Sequence, residues 1–171
     1  MSKILIFLII PAVLSRSAQY LPRFSDFSTT TQPSQQQDGS IIGYQFLNAL
    51  VNAARSNNYS IFYSGFTAPI FNKSGTVIGE ASKESLFRIF GGFPQNINIE
   101  QVFPRNYLKF NLYESFGNHY LNIDKTEDDV RVYFTAQILG ENQFNFISLV
   151  IVGVPDNSTG LIQNIIEQFI F

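Results

Sequence analysis

A chain of 171 residues suggests one domain large enough for a real core. Its formal charge is −2, and its 11 Lys and Arg form no basic cluster to neutralise phosphates, which argues against nucleic acid and anionic membrane as partners. The absence of cysteine excludes thiol catalysis, cysteine-ligated zinc and disulfide bracing, so the domain must stand on its core alone. Only 14% of residues are charged, against about 25% in an average soluble domain, so Asn, Gln, Ser, Thr and Tyr must cover the surface. With 18 Phe and no Trp, the aromatic content suits a β-rich core better than a helical bundle.

The chain starts with the short basic Met1-Ser2-Lys3, followed by the apolar run Ile4–Leu14, broken only by Pro11. That run is too short to span a bilayer, and the small Ser15-Arg16-Ser17 behind it offers a cleavage site. Residues 1–17 read as a secretory signal peptide, which predicts a secreted protein with no membrane attachment after cleavage. Loss of Lys3 and Arg16 would move the formal charge from −2 to −4. Residues 18–39 carry Ser28-Thr29-Thr30-Thr31-Gln32-Pro33-Ser34-Gln35-Gln36-Gln37, with no periodicity and little to bury, and read as a disordered polar leader. The folded domain is expected over 40–171.

Asp38 or Ser40 can cap a first helix, in which Ile42, Phe46, Leu47, Leu50, Val51 and Ala54 recur at three and four. Ser56-Asn57-Asn58 ends it. A short second helix over Tyr59–Tyr63, an extended Phe66–Phe71, a turn at Asn72–Gly75 and a short strand Thr76–Ile78 follow. Ser82 caps a third helix, Lys83–Phe90, which Gly91-Gly92 stops. Asn96–Val102 reads as an edge strand.

Three long β-signals come next. In Tyr107–Phe116, Leu108, Phe110 and Leu112 alternate with Lys109, Asn111 and Tyr113; in Val130–Leu139, Val132, Phe134, Ala136 and Ile138 alternate with Arg131, Tyr133, Thr135 and Gln137. Phe144–Val154 is apolar on both faces. Connections at Gly117-Asn118 and Gly140-Glu141-Asn142 favour antiparallel return, with a short strand Tyr120–Asp124 between the first two. Leu161–Phe171 shows helical spacing, yet its β-branched and aromatic content and its place after the turn at Asp156–Gly160 favour a strand with a bulge.

This order of elements resembles the nuclear transport factor 2-like superfamily, also called ketosteroid isomerase-like. The local text from Phe46–Arg55 through Ser56-Asn57-Asn58-Tyr59, Phe62–Phe71, Gly75 and Gly79 looks like its opening. The resemblance implies an α+β cone: about three N-terminal helices packed on a strongly curved antiparallel β-sheet around a pocket. Isomerases of that superfamily use a tyrosine in the first helix and a carboxylate base after the first strand. The matching positions here are Ala49 and Asn72, which can neither stabilise a dienolate nor take a proton. The expectation is therefore a binding or protein-interaction domain without catalysis, cofactor or metal. The competing expectation is an isomerase- or cyclase-type enzyme acting on a small hydrophobic molecule.

Tyr107, Tyr113 and Tyr133 stand on the parity opposite the core residues, so they are the candidate sheet-face or pocket residues for a small hydrophobic ligand or a protein partner. Cross-strand stabilisation of the sheet is their plainer explanation. A homodimer through the same sheet face, with Phe144–Val154 central, is a further expectation. The sole histidine, His119, is placed in a turn, and Asp124, Glu127, Asp128 and Asp129 read as a solvated acidic turn, not a calcium loop. Sequons at Asn58, Asn72 and Asn157 fall in expected turns, where a glycan would be tolerated.

Overall fold

The computed structural model describes residues 38–158 and 162–171. The expected signal peptide and all but the last two residues of the leader lie outside the described residues. Helix α1 spans Gly39–Arg55, and the Asp38 carboxylate caps it by accepting from Ser40 N at 3.0 Å. Its buried stripe runs through Tyr44, Phe46, Leu47, Leu50, Val51 and Ala54. Gly43 belongs to that stripe for a steric reason: a Cβ there would lie 2.1 Å from Cδ1 of Phe110. The Arg55 guanidinium donates to the carbonyls of Phe93 and Pro94, tying the end of α1 to the loop behind the next helix.

The expected second helix is a single 3-10 turn, Tyr59–Ile61. The chain straightens at Phe62, which pairs in parallel with Phe146, so strand β1 takes Phe62–Thr67. Strands β2 (Pro69–Asn72) and β3 (Val77–Glu80) form a hairpin. Helix α2, Lys83–Gly91, starts where Ser82 Oγ accepts from Ser85 N at 3.0 Å. The expected edge strand over Asn96–Val102 is a one-turn helix, α3 (Ile99–Val102). Local capping chemistry decides this: Asn98 Oδ1 accepts from Glu100 N at 3.0 Å.

The meander consists of β4 (Leu108–Ser115), β5 (Asn118–Glu127), β6 (Val130–Gly140) and β7 (Gln143–Val154). Two residues join each pair, with left-handed φ of 51° at Phe116, 75° at Gly117, 50° at Asp128 and 53° at Asn142. The seven-stranded, mainly antiparallel sheet runs β3-β2-β7-β6-β5-β4, with β1 also against β7. The expected short strand at Tyr120–Asp124 is thus ten residues long.

The strand expected at Leu161–Phe171 is overturned. Residues Ile162–Ile170 form helix α4, which buries Ile165, Ile166 and Ile170. Helical spacing prevails over β-branched propensity because the apolar side chains pair one turn apart and close against the sheet, with Ile162 over Gly79. Across the described residues the fold is α+β, with four α-helices.

Candidate functional site

The helix-covered side of the sheet is where a pocket would lie, and phenylalanine fills it. Phe46, Phe90, Phe103 and Phe146 are fully buried, and Phe134 is 1% exposed. Phe146 touches the rings of Phe46, Phe62, Phe66 and Phe134 at centroid distances of 4.9–6.2 Å. Phe103 continues the network to Phe134, Phe90 and Phe171, and Phe171 closes on Phe90 and Phe93. Tyr44, beside them, donates its hydroxyl to Phe103 O at 2.8 Å, and burial pushes that hydroxyl above its usual value. Ala49, at the position of the isomerase tyrosine, is partly buried against a surface groove. Asn72, at the position of the isomerase base, spends its Oδ1 on Ser74 Oγ at 2.9 Å and Thr76 N at 2.7 Å.

The other face of the same sheet carries alternate residues in rows across the strands. Tyr113, Tyr120, Gln137 and Asn145 form one row; Asn111, Asn122, Thr135 and Ser148 the next; Lys109, Asp124, Tyr133 and Val150 a third. The Tyr113 and Tyr120 rings stack at 5.2 Å and 17°. Burial chiefly, and then the Tyr120 phenol, raise the Tyr113 hydroxyl. Tyr133 meets Arg131 Nη1 at 3.4 Å along its own strand. Tyr107 does not join them. It ends a 3-10 turn before β4, 43% exposed, so strand parity does not govern its direction.

His119 lies within β5, exposed and paired between Glu114 and Ile138, instead of in the turn. The four acidic residues do not converge. Asp124 accepts from Thr126 Oγ1, Asp129 meets Lys73 at 3.2 Å and Glu127 meets Lys125 at 2.8 Å. Among the described residues no group of His, Asp and Glu is arranged to hold a metal ion, and no helix is long and apolar enough to cross a membrane. Asn58 and Asn157 are exposed, and Asn72 is the partly buried last residue of β2. Asn58 Oδ1 accepts from Ser60 N and Ser60 Oγ, the compact turn of a surface sequon.

Lys125 was not singled out by sequence reasoning. It is 2% exposed, on the helix-covered face, and its ammonium donates to Glu127 Oε2 at 2.8 Å and to Phe169 O at 3.1 Å near the end of α4. The signal was present in its parity with Leu121 and Ile123. The cation serves the carbonyl end of a helix, where positive charge is favoured.

Compared with protein-family models, with curated proteins and with solved structures, the chain finds no match.

Proposed function

We propose that this chain is a secreted, non-catalytic interaction domain of the nuclear transport factor 2-like kind, whose partner docks on the open face of the sheet. The observation that carries the reading is the continuous phenylalanine network on the helix-covered side. A small-molecule enzyme or carrier needs an apolar cavity with a few polar groups converging on it, and here that space is occupied by the chain's own rings. The open face holds the opposite chemistry: stacked tyrosines, neighbouring amides and hydroxyls, and a guanidinium, which suit a protein surface. The three sequons, at turns and a strand end, would carry glycans in the secretory pathway. A second reading is self-association, favoured by Phe71, Val150 and Val152 at the β2–β7 end of the same face, all only partly covered.

The test places the photoreactive residue benzoyl-phenylalanine at Tyr133 and, as a control, at the exposed Gln101 of α3, in the chain secreted by its own cells. Irradiation is expected to give a discrete covalent adduct at Tyr133 and none at Gln101. Digestion of the adduct then tells a second copy from another protein. A chain that forms no adduct at Tyr133 yet retains an organic molecule overturns the reading.

A further inference from the structure

We propose that the groove between α1 and the β6–β7 turn is a second binding site, shaped for an uncharged segment of extended polypeptide. The groove has a volume of about 580 Å³ and is open to solvent. Six of its thirteen described lining residues are carboxamides, although the whole chain has only 15 Asn and 12 Gln among 171 residues. Among the described residues of the lining none is ionisable.

The enrichment has a geometric origin. Gln45, Asn48 and Asn52 stand at i, i+3 and i+7 on α1, which sets them in one row about 10 Å long at 1.5 Å per residue. Asn142 and Gln143 face that row from the turn, whose left-handed φ of 53° at Asn142 suits an asparagine. Ala53, Ile61 and Phe144 make an apolar floor, and Leu139 stands 57% exposed at the rim. Among the described residues, none of Gln45, Asn48, Asn52, Asn142 and Gln143 uses its side chain in a hydrogen bond, whereas Asn58, Asn72, Asn98 and Asn118 all do.

A carboxamide presents N–H donors and a carbonyl acceptor together, so it can bond both ends of a peptide group. Peptide groups on one side of an extended chain recur every ~6.6–6.8 Å, and the amides step along α1 by roughly 4.5 and 6 Å. Side chains of this length can absorb the difference. A charged ligand would find no counter-charge in the lining. A ring-stacked carbohydrate is disfavoured, because Phe144, the one aromatic among the described lining residues, is only 6% exposed.

The site is separate from the open sheet face; because Asn58 is among its lining residues, it is open to a peptide only where that sequon carries no glycan. The experiment uses the full chain made in bacteria, so that Asn58 stays unmodified. Its binding is measured on an array of capped, uncharged hexapeptides, and the side-chain NH₂ resonances are followed by NMR with the best binder. A subset of peptides is expected to bind, moving the resonances of Gln45, Asn48, Asn52, Asn142 and Gln143. The Asn48→Ala/Asn52→Ala variant is expected to bind at least tenfold more weakly, while Asn111→Ala on the open face binds normally. Ala at exposed helix positions preserves the fold. Absence of any bound hexapeptide, binding that ignores the Asn48→Ala/Asn52→Ala change, or chitotetraose moving these resonances where the peptides do not, would each overturn the proposal.

Discussion

The two faces of one sheet use the same strands for opposite ends. In β6, Val132, Phe134 and Ala136 are at most 1% exposed, while their neighbours Arg131, Tyr133, Thr135 and Gln137 stay exposed or half-buried. The covered face is specified by volume, with Phe146 and Phe103 each meeting several other rings. The open face is specified by chemistry, with tyrosine, amide and hydroxyl in rows across the strands. Stability rests mainly on the first kind of surface, and the second leaves polar groups free to meet a partner.

The sharpest way to break this contrast is to truncate one ring on each face. Phe146→Ala removes contacts with four other phenylalanines and is expected to lower unfolding free energy by about 3–5 kcal/mol in urea titration. Tyr133→Ala is expected to lower it by less than about 1 kcal/mol. Equal losses would mean that the open face is a structural surface. Next in size is Lys125→Met, which removes the one charged side chain that is buried among the described residues. Loss of its bonds to Phe169 O and Glu127 is expected to remove about 1.5–3 kcal/mol and to speed amide exchange in α4 first.

Alkaline pH sharpens the contrast further. The Tyr44 hydroxyl is raised chiefly by burial, then by Glu100, with Arg105 opposing. The folded state therefore holds that proton more tightly than the unfolded state. Its contribution is complete below the unfolded tyrosine value of about 10 and is lost as pH rises through the higher folded value. The urea midpoint is expected to fall across that range, and to fall less steeply in Tyr44→Phe. The smallest effect concerns the β4–β5 tip, where Phe116 is 101% exposed at φ 51°. Asparagine tolerates that conformation better, so Phe116→Asn is expected to raise stability by up to about 1 kcal/mol in thermal unfolding.

Alternation made β4 and β6 legible from residues alone, and the capping residues Asp38 and Ser82 marked where α1 and α2 begin. Other elements were set by partners far away in the chain. Ile162, Ile166 and Ile170 could serve a strand or a helix until the space over Gly79 and the buried Lys125 are known. The polar run Asp124-Lys125-Thr126-Glu127 resembles a turn, which is why β5 looked short. On the open face, parity placed Tyr113 and Tyr133. The Tyr113–Tyr120 stack also needed the register, and a turn at Phe116-Gly117 pairs those two residues, whereas one at Gly117-Asn118 would pair Tyr113 with Asn122. The amide groove was invisible because α1 and the β6–β7 turn meet only in the fold.

The most direct test of the central claim is native mass spectrometry of the full chain secreted from its own cells. The claim, that the covered face is filled by the chain itself and binding occurs on the surface, predicts the mass of the chain with any glycans, alone or with a second protein copy. A retained organic molecule of a few hundred daltons, lost when Phe146→Ala reshapes the core, would contradict it.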